Sequence, residues 1–221
     1  MKLLESFFST FQSKDYVTAG IAFASFIASL INIYLTQFRT PRIAVRIGPN
    51  VHIWYNPGGS GFYIPSVFQN TSPRSGIVQK AYLTVRAPDE KYHTVRWQYF
   101  SSIDSNTIEY KRLGSAVPFS VAGNAAELRV FEFHFPLLPD GSPSLRFFRG
   151  NYEVTLYAWT SDGIDPDLSA TEIFNITPEL EQELDGRLRS GSPTTSYFPF
   201  VGRSKFGEIS THRPNFKDLI F

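Results

Sequence analysis

The pattern of apolar and polar positions divides the chain into two regimes. Tyr16 to Leu35 reads YVTAGIAFASFIASLINIYL, twenty residues without a formal charge. A helix of that length, at about 1.5 Å per residue, is about 30 Å long, the hydrocarbon thickness of a bilayer. A buried core helix would carry a polar stripe over twenty residues, and here only Thr18, Asn32 and a few serines interrupt. The pattern predicts one transmembrane helix over residues 16–35, retained as an N-terminal anchor. The run is long for a signal peptide, has no net basic charge before it and ends on no small-residue cleavage site. Ahead of it, Leu3, Leu4, Phe7, Phe8 and Phe11 share a helical face, which predicts an amphipathic interfacial segment over 1–15.

From about Arg42 the period shortens to two. Extended runs are predicted at 42–48, 51–56, 61–69, 77–87, 92–100, 107–112, 117–121, 127–135, 152–160 and 170–176. Turn material such as Asn56-Pro57-Gly58-Gly59 and Pro139-Asp140-Gly141 separates them. Leu83 and Val85 oppose Thr84 and Arg86, and Phe131, Phe133 and Phe135 oppose Val130, Glu132 and His134. One packed and one partly polar face predicts antiparallel sheet, and no helical patterns separate the runs. The expected fold is all-β, an antiparallel β-sandwich of seven to nine strands over 36–176.

A short C-terminal helix is predicted over 177–190. Thr177 can cap it, Pro178 suits its first position, Glu179 and Glu181 its positive end, and Arg187 and Arg189 its negative end. Leu180, Leu184 and Leu188 form its apolar stripe, and Gly191 can stop it. Residues 191–221 keep no stable period and are expected to be an irregular, aromatic-rich tail that packs back on the domain or docks to a partner.

Asn70 near a strand end, Gly76-Ile77-Val78, Leu83-Thr84-Val85 and the late run Gly150-Asn-Tyr-Glu-Val-Thr-Leu-Tyr make the region 40–176 loosely resemble immunoglobulin-like sandwiches tethered to membranes. The Cys…Trp…Cys core of antibody-type domains is missing. The resemblance implies an immunoglobulin-like sandwich that serves as a binding or assembly module.

Composition narrows the chemistry. The 221 residues carry 21 basic and 20 acidic side chains, a net charge of +1, so a bulk nucleic-acid binder is not expected. With no cysteine, thiol nucleophiles, Cys-ligated zinc and iron–sulfur centres are excluded. Arg39, Arg42 and Arg46 follow the anchor without an acid among them and fit contact with the membrane surface. They lean the orientation toward a cytoplasmic C-terminal domain. Within the span Gly20, Ala24 and Ala28 recur every four residues beside Asn32, a face that permits close helix packing. The partners expected are the lipid bilayer and either a membrane-protein partner or a second copy.

No nucleophile elbow, phosphate loop, dinucleotide fingerprint or zinc helix motif occurs, and no cofactor is expected. Glu132 and His134 share a strand face and are the candidate acid–base pair. Asp162, Asp165 and Asp167 crowd the SDGIDPD loop and are the candidate calcium ligands. Asn70-Thr-Ser and Asn175-Ile-Thr match the glycosylation pattern. The function expected is a single-pass, membrane-anchored module for protein binding, scaffolding or complex assembly. The alternatives are a tethered hydrolase with its site at the loop ends, and an ion or small-ligand sensor using the 162–167 loop.

Overall fold

The computed structural model describes residues 13–56, 58–103, 110–191, 194–201 and Phe216. Most of the expected interfacial segment, residues 1–12, lies outside the described residues. Helix α1 runs Ser13–Ile33 and continues as a π-helical turn, Tyr34–Phe38, closed by Arg39 N–H donating to the Tyr34 carbonyl at 3.1 Å. Within it Tyr16–Phe38 is a 23-residue stretch of mean hydropathy 1.7, long and apolar enough to cross a membrane. None of that stretch is buried by the rest of the chain.

Beyond the helix the described residues are mostly β. In chain order the strands are β1 (Ile43–Ile47), β2 (Asn50–Asn56), β3 (Gly59–Asn70), β4 (Gly76–Val78), β5 (Lys80–Arg86), β6 (Tyr92–Arg96) and β7 (Tyr99–Ile103). They continue with β8 (Tyr110–Ser115), β9 (Phe119–Val121), β10 (Ala126–Pro136), β11 (Gly150–Trp159), β12 (Leu168–Ile176) and β13 (Thr194–Pro199). A seven-stranded sheet has the order β13-β2-β3-β10-β7-β8, with β1 also on β3. A four-stranded sheet has the order β12-β11-β5-β6, and β4 pairs with β9. Every pairing is antiparallel.

The long β3–β10 ladder, from Gln69↔Ala126 to Gly59↔Pro136, is the spine of the larger sheet. Its register puts Phe62, Ile64, Phe68, Phe131 and Phe133 on one buried face. Leu83, Val85, Val154, Leu156 and Phe174 of the smaller sheet complete the same core. Phe62 meets Phe174 across the two sheets at 6.2 Å. A Cβ on Gly61 would collide with the Phe133 carbonyl and the Trp54 ring, so close strand approach requires glycine there.

Two expected runs each divide between sheets. Residues 76–78 pair with β9, whereas 80–86 pair with β11. The 92–100 run breaks at Trp97 and Gln98, where Trp97 N–H donates to Ala81 of the smaller sheet and Gln98 N–H to Glu132 of the larger. Thirteen strands therefore stand among the described residues where seven to nine were expected. Alternation along a chain reports which side chains are buried and is blind to which neighbouring strand takes the backbone bonds.

Helix α2 spans Pro178–Ser190. Thr177 Oγ1 accepts from Leu180 N–H at 3.4 Å, Leu184 is buried, and Gly191 at φ 64° closes the helix in the left-handed conformation. Arg146 holds it by a two-pronged pair to Asp185, at 2.9 and 2.8 Å. The expectation of an irregular tail is corrected at its start: β13 pairs with the edge of β2, and Phe198 enters the core. Val201 N–H then donates to Ile173 of β12 at 2.7 Å, tying the two sheets together.

Candidate functional site

Strand alternation sends His52, Trp54, Tyr63, Glu132, His134, Ser101, Arg112 and Tyr110 to the face of the seven-stranded sheet opposite the core. The sheet curls toward that side. Tyr110 of β8 stacks on Tyr63 of β3 at 3.8 Å and 2°, although β10 and β7 lie between them. His52 sits edge-on to both Tyr110 and Tyr197, each at 5.0 Å. The fold thus builds a second, polar and aromatic interior on a face that a flat sheet would leave in solvent.

Glu132 is its charged centre, 2% exposed. The carboxylate accepts from Ser101 Oγ at 3.1 Å and from Arg112 Nε at 3.1 Å, and pairs with the second guanidinium nitrogen. The guanidinium lies 3.7 Å from the Tyr99 ring centroid, which fixes its plane. His134 has other partners. Its backbone is clasped by the Gln98 amide, and its Nε2 lies 3.1 Å from the Gly58 carbonyl oxygen. Glu132 and His134 do share a face of β10, but no hydrogen bond joins them among the described residues. The carboxylate is committed to a cation, not poised beside an imidazole.

Three buried polar atoms here have no hydrogen-bond partner among the described residues: His52 Nδ1, Trp54 Nε1 and Tyr110 Oη. Burial pushes His52 down to about 4. Burial, with the Glu132 charge adding and Arg112 opposing, pushes the Tyr63 phenol up to about 12, and burial raises Tyr110 further. At neutral pH His52, Tyr63 and Tyr110 are therefore uncharged, beside the closed Glu132–Arg112 ion pair.

A test follows from His52. A base whose folded value is depressed stabilises nothing when charged, so stability is full above about 6.5 and is lost as pH falls toward about 4. His52→Phe is expected to flatten the decline of melting temperature between those values. Some slope will remain, because burial also lowers His93, with Asp89 opposing and Lys91 assisting. An unchanged acid limb in His52→Phe would refute the assignment.

The other sequence candidates are placed apart. Asp162 and Asp165 are exposed, while Asp167 accepts from the N–H groups of Thr160 and Ser161, at 2.7 and 3.1 Å, and from both hydroxyls. Partial burial raises its carboxyl and those bonds outweigh it, holding it below the usual range. Asp167 closes the turn, and no group of three His, Asp or Glu able to hold a metal forms among the described residues. Gly20, Ala24, Ala28 and Asn32 all lie exposed on α1, with open space around Gly20. Arg39 is half-buried, Arg42 is exposed just before β1, and Arg46 is exposed near its end.

Asn70 is 1% exposed, and its amide donates to the Arg74 and Val121 carbonyls at 2.8 and 3.2 Å. It braces the β3–β4 turn, and a glycan there is incompatible with the fold. Asn175 is exposed. A cleft of about 150 Å³ between β2 and α2 is lined by Tyr55, Asn56, Leu137, Pro143, Arg187 and Leu188, and gathers no acid–base set.

Sequence reading overlooked His52, Tyr63, Tyr110, Arg112 and Tyr197. The signal was present in β2, NVHIWYN, and in β3, whose residues are bulky on both faces. Strands that are apolar or aromatic on both sides are covered on both sides.

No family model matches the chain, and comparison with curated proteins finds no relative. Among solved structures, one of a Bordetella pertussis protein assigned as ApaA aligns at 11% identity over 61% of this chain and 94% of that one. Its TM-score is 0.26, too low to carry a shared fold.

Proposed function

We propose that the chain is a single-pass membrane protein whose β domain, closed as an immunoglobulin-like sandwich, binds or assembles with another protein at the bilayer surface. The observation that carries this reading is the apolar stretch Tyr16–Phe38, of which the domain buries no residue. In water so long and mostly apolar a stretch would be a large exposed patch, whereas in lipid it is solvated. Arg42 and Arg46, exposed a few residues beyond the span, suit anionic headgroups and a cytoplasmic domain. Glu132 spent on Arg112 and Asp167 spent on its own turn leave the hydrolase and ion-sensor readings without comparable support.

Gly20, Ala24 and Ala28 supply the face through which α1 meets a second helix. Affinity purification from detergent-solubilised membranes tests this, comparing the unaltered chain with Gly20→Leu/Ala24→Leu. The unaltered chain is expected to retain a specific membrane-protein partner or a second copy, and the variant to lose at least tenfold of it. Equal recovery by both, or no specific companion with either, would sink the reading.

A further inference from the structure

The four-stranded sheet also has an outer face, and that face is occupied. Alternation on β5 and β11 places Tyr82, Tyr157 and Trp159 there, directed away from Leu83, Leu156 and Ala158 in the core. Rings facing outward from a sheet are ordinarily wet. These are not: Tyr82 is 8% exposed, Tyr157 1% and Trp159 1%. The described residue that lies on them is Phe216, itself 8% exposed, although it is distant in sequence. Its ring stands 4.9 Å from Trp159, 5.1 Å from Tyr157 and 5.9 Å from Tyr82, edge-on in each case. Edge-to-face contact with several rings at these separations is specific packing, not smearing of a tail over a surface.

The socket is held by contacts that do not involve its guest. Trp159 Nε1 donates to the Ile164 carbonyl at 3.1 Å, and the Lys80 ammonium lies 4.9 Å from the Trp159 ring centroid. Beside it Thr84 and Thr94 share a hydroxyl hydrogen bond at 3.0 Å, as do Thr155 and Thr171 at 2.9 Å. These bonds tie each ring-carrying strand to its outer neighbour, β5 to β6 and β11 to β12. Phe216 instead arrives on a connection of fourteen residues from Val201. At about 3.3–3.6 Å per residue such a connection reaches up to about 50 Å. A domain of this size has a diameter of about 40 Å. The same ring can therefore reach the socket of an adjacent copy, and burying one ring is comparable in free energy to closing a loop of this length.

We infer that the Tyr82–Tyr157–Trp159 socket is a self-association site whose occupant is the Phe216 segment, held in its own copy at low density and exchanged with a second copy when two domains share a membrane patch. This deepens the assembly reading by naming a contact outside the bilayer, and it rests on that reading only for the meeting of two copies. Confinement to a membrane raises the effective concentration of the second tail, which is what shifts such an exchange.

Phe216→benzoylphenylalanine in the full chain provides the test, since it keeps an aromatic ring at the position. Light- and heavy-isotope copies are placed two per disc in phosphatidylcholine nanodiscs and irradiated. Crosslinks are expected from position 216 to residues 80–82 and 157–159, with mixed-isotope pairs among them. Tyr157→Ala in the heavy copy should reduce mixed pairs that end on that copy at least fivefold. Crosslinks mapping elsewhere would overturn the socket, and same-copy crosslinks alone would overturn the exchange. Repeating the measurement with Gly20→Leu/Ala24→Leu separates the two readings. There the disc, and not the helix, holds the copies together, so exchange should persist even where helix association is lost.

Discussion

Arg112→Ala is expected to destabilise the domain by about 3 kcal/mol, the lower end of what removing one partner from a buried ion pair costs. The side-chain exposures of the pair pull in opposite directions. Arg112 is half-exposed at 52%, which by itself describes a surface pair worth well under about 1 kcal/mol. Glu132, at 2%, is the member that decides, because alanine at 112 leaves a carboxylate in the interior with only Ser101 as a donor. Glu132→Gln on its own keeps a group that can still accept from Ser101 and Arg112, and should cost only about 1–2 kcal/mol. The double variant Arg112→Ala/Glu132→Gln should then recover at least half of the single loss, since no charge remains to be stranded. Urea unfolding of the chain in detergent, followed by tryptophan fluorescence, measures all three. A loss below about 1 kcal/mol for Arg112→Ala, with no recovery in the double variant, would mean that Glu132 is solvated and the pair is ordinary surface.

That the pair exists could not be read from the chain. Glu132 and His134 alternate with three phenylalanines, and two residues on one strand face invite pairing with each other. The structure gives each a partner from outside β10, Arg112 from β8 across the curled sheet and Gly58 from the β2–β3 turn beside the β3–β10 ladder. Local elements were far more legible. Phe131, Phe133 and Phe135 are all core, as are Val154, Leu156 and Ala158, since period-two burial is a property of one strand. Helix α2 was legible at both ends, because Thr177 and Gly191 act on backbone groups within four residues of themselves. Sheet membership was not. Trp97 and Gln98 carry one uninterrupted run from one sheet to the other, and nothing in their polarity marks the crossing. The tail misled for a related reason. Tyr197, Phe198 and Pro199 are three bulky neighbours without alternation, yet only Phe198 is buried in the core while Tyr197 covers His52 on the other face.

Ending the chain at Gly191 is accordingly expected to unfold the domain or leave it aggregated, whereas ending it after Val201 should leave the sheets intact. The shorter chain loses β13 and its pairing along β2 from Thr194↔Tyr55 to Pro199↔Asn50. It also loses Phe198, 2% exposed, whose ring lies 5.7 Å from Phe174. Removing a buried phenylalanine alone costs about 3–5 kcal/mol, already comparable with the total of about 5–15 kcal/mol that holds an ordinary domain together. The Val201 bond to Ile173 goes too, and with it the tail's link between the sheets. What remains is β2 as a bare edge, carrying Val51, Ile53, Trp54 and Tyr55 and no charged residue to discourage pairing with another chain. Thermal melts and size-exclusion profiles of the two truncations separate the outcomes. A chain ending at Gly191 that stays monomeric and melts within a few degrees of the full chain would show that β13 decorates the sheet and does not complete it.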